Sequence, residues 1–170
     1  MIYLGLGSNL NSKYGNRFDN INFAISQIGE SGISINKKSS FYETPSCPNS
    51  KNPKFINIVI SIKTSLTPKD LMTFLISLEE KMGRKRSKKN DPRICDIDII
   101  DYNNQVLDLN YVNFNLKIPH KQMISRNFVL FPLKEISPGW KHPKTNEIIM
   151  DLIEKLSNEQ KNSILKIDKY

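Results

Sequence analysis

The sequence predicts an α+β protein, a ferredoxin-like α/β sandwich with additional C-terminal helices. Apolar or β-branched runs and helical repeats alternate over the first hundred residues in the order β-α-β-β-α-β, which is the element order of that fold. The chain has 170 residues, 38% hydrophobic and 25% charged, which suits one globular domain. We therefore expect residues 1–170 to form a single domain.

The first half of the chain has clear local signals. Residues 2–7 are apolar and end at Gly-Ser-Asn, which predicts a buried strand and a turn. Apolar residues at helical spacing predict a helix from about 15 to 29, and residues 33–44 form an extended segment that a proline stops. Residues 45–54 contain three prolines and predict a surface loop, long enough to be a lid or a binding loop.

The next elements form a strand, a helix and a strand. Residues 55–64 are β-branched, with Ile56, Ile58, Ile60 and Ile62 on the core face and Phe55, Asn57, Val59 and Ser61 on the other. Thr67-Pro68 begins a helix that Gly83 stops. Residues 96–102 predict a strand.

The last third has weaker patterns. We expect a short return strand at 106–109, an irregular stretch at 110–117, and a helical turn or two from 126 to 133, entering Pro132. Residues 147–159 predict one amphipathic surface helix.

The charge of the chain is concentrated in one place. Residues 81–93 contain seven Lys or Arg and one acid, so this stretch carries +6 of the net charge of +8. A nearly neutral protein with one basic loop favours a compact anionic ligand over a long polyanion. Two cysteines without a paired motif indicate reduced thiols, and neither a signal peptide nor a membrane-spanning run is present, so we expect a cytoplasmic protein.

The basic loop leads directly into a pair of acids. The stretch 84–98 reads R-K-R-S-K-K-N-D-P-R-I-C-D-I-D, and Asp96 and Asp98 stand at the head of a predicted strand. Side chains two residues apart in a strand share a face, about 7 Å apart. Two such carboxylates repel unless a cation lies between them, and hard oxygen ligands suit Mg²⁺. With the cationic loop beside them, they predict a phosphoryl-transfer site that holds a Mg²⁺–polyphosphate.

Simpler interpretations of these residues stay open on spacing alone. Asp96 and Asp98 could be exposed acids on a solvated edge strand, and Gly-Ser-Asn could be a plain strand-to-helix turn. Asn57 could hydrogen-bond a flat heterocycle or only a neighbouring backbone group. His120 could be a packed or surface histidine, and Lys85, Lys88 and Lys89 could each be solvated. We expect His142 on the surface and Trp140 in a packing role.

Several motifs together resemble one family. G-S-N, F-Y-E-T-P, F-I-N, G-R-K-R…D-P-R-I-C-D-I-D, I-P-H and R-N-F-V-L-F-P-L occur in the order seen in 6-hydroxymethyl-7,8-dihydropterin pyrophosphokinase, from about residue 2 to 140. The resemblance implies a ferredoxin-like fold and an ATP-dependent diphosphotransferase of folate biosynthesis. This enzyme moves the β,γ-diphosphate of ATP to the hydroxymethyl oxygen of the pterin and releases AMP.

The resemblance also implies roles for single residues. Asp96 and Asp98 match the carboxylates that hold two Mg²⁺ ions, and Arg84 and Arg93 match catalytic cations on the phosphates. The ATP side further includes Glu79, His120 and Arg126. The pterin pocket corresponds to Thr44, Pro45, Phe55, Asn57 and Phe128. Loops 45–54 and 84–93 match the mobile loops that close over the ligands. We expect a monomer that binds neither nucleic acid nor membranes.

One departure from the family concerns loop 84–93. The family usually has Trp-Gly before Pro-Arg, where this chain has Asn90-Asp91, and the loop is a residue shorter. Because the tryptophan ordinarily helps to cover the pterin ring, we expect weaker loop closure here, with pterin affinity reduced more than ATP affinity.

Two other functions compete with this interpretation. A ferredoxin-like sheet with a basic patch could bind RNA, although strand 55–64 is aliphatic beyond Phe55 and the two acids would repel a phosphate backbone. A two-metal nucleotidyltransferase would use similar residues and release pyrophosphate instead of AMP.

Overall fold

The computed structural model describes residues 1–47, 49–84 and 91–168. The first hundred or so residues contain β1 (Ile2–Ser8), α1 (Arg17–Glu30), β2 (Ser34–Lys38), β3 (Phe41–Thr44), β4 (Phe55–Lys63), α2 (Pro68–Lys81) and β5 (Asp96–Tyr102). After these come β6 (Leu107–Asn110), β7 (Asn115–Ile118), a 3-10 turn (Met123–Ser125), α3 (Asn127–Ile136), α4 (Ile149–Glu154), α5 (Asn158–Asn162) and β8 (Leu165–Ile167). The predicted α+β, ferredoxin-like fold is confirmed.

The central sheet has the order β5-β1-β4-β3-β8, with β2 also paired to β4, and every described pair in it is antiparallel. The extended segment predicted at 33–44 is divided at Ser39-Ser40 into β2 and β3. There the Ser39 N–H donates to the Val59 carbonyl (3.0 Å), and the Ser39 hydroxyl accepts from the Val59 N–H (3.1 Å). The hydroxyl therefore takes the place of a main-chain acceptor where the strand is interrupted.

Both faces of the sheet are buried. The four isoleucines of β4 lie in the core beneath α1 and α2, as predicted. On the opposite face Tyr3, Val59 and Ile100 pack with α3, α4 and Trp140. This second layer of helices confirms the expected C-terminal cover, and Trp140 has the packing role that the sequence suggested.

The expectation that His142 lies on the surface is wrong. The side chain is buried because its ring packs edge-on against Trp140, with 5.9 Å between centroids, and its Nδ1 accepts a hydrogen bond from the Thr145 N–H (3.2 Å).

Several expectations for the last third are also corrected. The return strand β6 pairs with β7, which lies in the stretch expected to be irregular. Helix α3 is longer than the expected turn or two and ends at Ile136 instead of 133, because its buried apolar face outweighs the main-chain bond lost at Pro132. The single helix predicted at 147–159 is instead α4 and α5, separated where Ser157 begins a capping box with Gln160. Strand β8, which no periodicity indicated, pairs with β3.

The helix ends are set by residues that the sequence marked. Thr67 caps α2 by accepting from the Asp70 N–H, and Gly83 follows the helix with φ of 97°, a left-handed conformation that favours glycine. No helix in the described parts of the chain has the length and apolar character that crossing a bilayer requires.

Candidate active site

The two acids of β5 and the polar residues of β4 lie on one face of the sheet. Asp96 is opposite Gly7 on β1, and Gly7 is in turn opposite Asn57 on β4; Asp98 is opposite Gly5. A Cβ on Gly7 would come 3.1 Å from Asn57 Oδ1 and 3.7 Å from Phe55 Cδ1. A Cβ here would press on the Asn57 amide, and with glycine the floor between the acids and the amide stays free of side chains.

Asp96 is held by two arginines. Arg84 Nη1 lies 2.5 Å from Asp96 Oδ1, and Arg93 Nη1 lies 3.0 Å from Oδ2. Arg93 also stacks over the Phe55 ring, with 5.5 Å from its guanidinium carbon to the ring centroid. The Nε of Arg93 is buried and has no hydrogen-bond partner among the described residues. Because a buried donor without an acceptor is costly, this N–H is a candidate contact for a ligand oxygen.

Glu79 is the third acid of this group and lies on α2. Its Oε1 accepts from Arg84 Nη1 (2.5 Å) and from the Ile97 N–H (2.6 Å), which joins the end of α2 to β5. Burial raises the pKa of the Glu79 carboxyl to about 7, although Arg84 opposes the shift. Glu79 and Asp96 therefore share one cation, Arg84.

Asp98 faces the C-terminal side of the site. Its Oδ2 lies 3.4 Å from Arg126 Nη1 and 4.0 Å from His120 Nε2. Burial and the neighbouring charge of Asp96 raise the pKa of Asp98 to about 6, against the pull of the arginines. Burial and Arg126 lower the pKa of His120 to about 4, so the imidazole is neutral at pH 7 and contributes hydrogen-bonding capacity instead of charge.

Four of the residues expected to bind a heterocycle come together at β3 and β4, and the fifth, Phe128, lies on α3 beside Arg126. Asn57 Nδ2 donates to Thr44 Oγ1 (3.0 Å), and both side chains are buried. Phe55 and Phe128 are half-buried, and each has an arginine over its ring, Arg93 and Arg126 respectively. Pro45 follows Thr44 at the exposed start of the loop. The hydrogen bond to Thr44 shows that Asn57 has a local partner, while its Oδ1 faces Gly7 and the open floor.

Two residues outside the expected site residues hold the loops. Asn9 Nδ2 donates to the Pro53 carbonyl (3.0 Å), its Oδ1 accepts from the Arg93 N–H (2.7 Å), and its own N–H donates to the Arg93 carbonyl (3.1 Å). Arg17 donates to the Lys54 carbonyl (2.6 Å) and pairs with Glu43 (3.3 Å). The only sequence signal was the Gly-Ser-Asn motif, which placed Asn9 beside a turn.

Some expectations fall on residues that the structure leaves undescribed. In loop 84–93 these are residues 85–90, including Lys85, Lys88, Lys89 and Asn90, and in loop 45–54 the corresponding residue is Pro48. The expected effect of the missing Trp-Gly therefore concerns Asn90, which lies outside the described residues, and Asp91, which lies within them.

The donor set around Asp96 and Asp98 suits a magnesium site. The described residues contain no cluster of three or more His, Cys, Asp or Glu able to hold a metal. The protein would therefore supply two carboxylates and leave the other coordination positions of the ion to phosphate oxygens or water. Mg²⁺ is typically bound in this way, through one or two carboxylates together with phosphate oxygens and water. The negative charge of Asp96 contributes to the raised pKa of Asp98. A bound cation would offset this repulsion between the two carboxylates. The residues therefore fit the ion.

Comparison with known proteins decides the family. A family model described as 7,8-dihydro-6-hydroxymethylpterin-pyrophosphokinase matches residues 3–138. The chain belongs to this pyrophosphokinase family. A relative from Synechocystis sp. named 2-amino-4-hydroxy-6-hydroxymethyldihydropteridine pyrophosphokinase is 36% identical over 90% of this chain and 74% of its own length. Its counterpart from Aquifex aeolicus is 37% identical over 84% of this chain and 83% of its own length.

Some members of the pyrophosphokinase family carry the matching segment within a longer chain. The present chain spans 20 to 21% of folic acid synthesis proteins from Dictyostelium discoideum, Pneumocystis carinii and Schizosaccharomyces pombe. It also resembles wild-type HPPK-DHPS of Plasmodium falciparum, with a TM-score of 0.71 and 16% identity over 91% of this chain and 44% of that chain. At 16% identity, this similarity shows a shared fold.

Proposed function

We propose that this chain transfers the β,γ-diphosphate of ATP to the hydroxymethyl oxygen of 6-hydroxymethyl-7,8-dihydropterin and releases AMP. The observation that carries the proposal is the shared face of the sheet. Asp96 and Asp98 with their arginines lie on one side of the glycine floor, and Thr44, Asn57 and Phe55 lie on the other. A phosphate chain and a flat heterocycle bound on the two sides would meet above Gly7.

The phosphate side consists of Arg84, Arg93 and Arg126, with His120 and Glu79 beside them. Arginine offers planar paired donors for phosphate oxygens, and the partnerless Nε of Arg93 supplies one more. Glu79 and Asp96 hold Arg84 at the head of β5. The neutral imidazole of His120 can donate or accept a hydrogen bond without adding charge.

The pterin side uses a different chemistry. The Phe55 and Phe128 rings offer two flat surfaces, Asn57 and Thr44 offer polar atoms for the edge of the heterocycle, and Pro45 begins the loop beside them. Aromatic rings and an amide are the groups that bind a flat polar ring. In this chain the arginines over both rings tie the ring-binding side to the phosphate-binding side.

In the reaction, the pterin hydroxymethyl oxygen forms a bond to the β-phosphorus, and the bond from that phosphorus to the α,β-bridging oxygen breaks. AMP leaves with the electron pair, and the hydroxyl proton is lost to solvent. Asp96 and Asp98 would hold two Mg²⁺ ions, which would supply positive charge to offset the negative charge of the phosphates. The arginines position the chain of phosphates and stabilise the charge that develops, which is the main need of phosphoryl transfer.

The proposal includes one pyrophosphokinase domain over residues 1–170, acting as a monomer. Its support is that Asp96, Asn57 and Thr44, which stand for the phosphate side and the pterin side, lie on one face of the same sheet.

The identity of the products tests the proposal. Phosphorus NMR of a mixture of the protein, ATP, Mg²⁺ and the dihydropterin should show AMP and the pterin diphosphate in equal amounts. Pyrophosphate with an adenylated pterin would instead indicate a nucleotidyltransferase, and ADP with a pterin monophosphate would indicate transfer of a single phosphoryl group. Either result would overturn the proposal.

A further inference from the structure

Asn127 lies between two residues of the candidate site, Arg126 and Phe128, but its side chain contacts another part of the chain. Its Nδ2 donates to the Gln160 carbonyl (2.6 Å) and to Ser163 Oγ (3.1 Å), while its Oδ1 accepts from the Phe128 N–H (2.7 Å). The residue is only 7% exposed. One buried amide therefore joins the first turn of α3 to the end of α5.

Gln160 returns a second hydrogen bond to the same segment. Its Nε2 donates to the Ser125 carbonyl (2.8 Å). Gln160 is itself held by the capping box of α5, where its N–H donates to Ser157 Oγ and its Oε1 accepts from the Ser157 N–H, each at 3.1 Å. Both neighbours of Arg126, Ser125 and Asn127, are thus fixed by α5.

The same C-terminal segment also reaches the opposite wall of the site. Beyond α5 the chain forms β8, which pairs antiparallel with β3 and places Leu165 opposite Glu43, the residue before Thr44. Lys166 adds an ion pair with Glu135 on α3 (3.4 Å). Residues 157–167 therefore connect the segment that carries Arg126 and Phe128 with the strand that leads to Thr44.

We propose that Asn127 is a positioning residue, which with Gln160 holds Arg126 and Phe128 in place before the substrates bind. Arg126 pairs with Asp98 (3.4 Å) and lies over the Phe128 ring, so a shift of this segment would move a cation and a ring together. A site whose side chains are already ordered does not lose binding free energy in ordering them. The inference rests on the proposed function, in which the Phe128 ring is one of the surfaces that bind the dihydropterin.

Three variants separate the contacts. Asn127→Ala removes all three hydrogen bonds of the side chain. Asn127→Asp keeps the acceptor for the Phe128 N–H but loses both donors to α5. Gln160→Ala removes the bond to Ser125 and the side-chain half of the capping box with Ser157, and it leaves the Asn127 side chain intact. Thr67→Ala is the matched control, because it removes a helix cap (Thr67 Oγ1 to the Asp70 N–H, 3.2 Å) at the opposite end of α2 from Glu79.

The readouts are the steady-state constants, the melting temperature, and the dissociation constant of the dihydropterin, measured by calorimetry with a non-hydrolysable ATP analogue. For both Asn127 variants we expect the KM and the dissociation constant for the dihydropterin to rise about five- to tenfold, with a smaller fall in kcat. Gln160→Ala should shift both constants in the same direction. Thr67→Ala should lower the melting temperature and leave both constants unchanged.

The positioning role is overturned if the variants lower the melting temperature as Thr67→Ala does but bind the dihydropterin as the wild type does. If Asn127→Ala does not fold, the melting temperature and dihydropterin affinity of Gln160→Ala decide whether the positioning role holds. A wild type that binds the dihydropterin without forming AMP would contradict the proposed reaction alone, and the calorimetric comparison would still decide the role of Asn127. A wild type that does neither overturns both.

Discussion

Asn9 and Arg93 are joined by two hydrogen bonds, from the Asn9 N–H to the Arg93 carbonyl (3.1 Å) and from the Arg93 N–H to Asn9 Oδ1 (2.7 Å). The same Asn9 side chain donates to Pro53 (3.0 Å). One buried residue after β1 therefore holds the end of loop 45–54 against the end of loop 84–93, which brings the pterin side and the phosphate side of the candidate site together.

Asn9→Asp should weaken this connection. The aspartate keeps an acceptor for the Arg93 N–H but loses the donor to Pro53 and places a negative charge near that carbonyl. We expect the free energy of unfolding to fall by about 1–3 kcal/mol and kcat/KM for the dihydropterin to fall with it. Urea denaturation and initial-rate kinetics measure the two effects. Asn22→Asp on the exposed side of α1 is the control, and equal behaviour of the two variants would show that Asn9 has no special role.

Arg17 makes a second connection, across the base of loop 45–54. Its guanidinium pairs with Glu43 on β3, before the loop, and donates to the carbonyl of Lys54, the last residue of the loop. Thr44 and Phe55, which flank the loop, pair with each other between these two contacts. Arg17→Lys keeps the charge but cannot donate to both partners with one planar group. We expect the KM for the dihydropterin to rise about fivefold.

Steady-state kinetics of Arg17→Lys beside Lys117→Ala checks this expectation. Lys117 forms an exposed ion pair with Asp108 on the β6–β7 hairpin, away from the loop, and its loss should leave the KM unchanged. A wild-type KM in Arg17→Lys would mean that the loop does not depend on this contact.

Glu79 should give the stability of the protein a distinctive pH dependence. Burial raises its pKa in the folded protein from 4.5 to about 7. Between these values the folded chain retains a proton that the unfolded chain has released, so the stability from this group is complete below pH 4.5 and is lost as the pH rises through 7. In Glu79→Gln this contribution is absent.

The unfolding free energy of the wild type minus that of Glu79→Gln should therefore decrease from pH 4.5 to about 7 and stay level above it. Urea denaturation of both proteins over this range measures the difference. A difference that does not change with pH would show that Glu79 titrates normally in the folded protein.

The elements that could be predicted from the sequence depend on local patterns. Strand β5 was placed at its observed bounds because apolar alternation and the Asp96–Asp98 spacing are visible within seven residues. The start of α2 was recognisable from Thr67-Pro68 for the same reason, since capping involves residues three apart.

The missed parts depend on partners that are distant in sequence. Asn9 contacts residues 44 and 84 positions away, and Asn127 contacts residues 33 and 36 positions away. Strand β8 has only three residues and is largely exposed, so it has no periodic signal, and its strand conformation depends on pairing with β3. His142 was misplaced because its ring is buried against Trp140, and Trp140 is itself held in the core by a distant partner, Asp101, 39 positions away.

The most direct test of the central claim is dihydropterin-dependent AMP formation over a range of Mg²⁺ concentrations in the wild type, Asp98→Asn and the control Asp108→Asn. Asp108 is an exposed acid of the β6–β7 hairpin, so its variant should match the wild type. We expect Asp98→Asn to lower the rate about a hundredfold or more and to require more Mg²⁺ for half of its maximal rate. A rate and Mg²⁺ dependence in Asp98→Asn equal to those of the wild type would contradict the assignment of this carboxylate pair to the reaction.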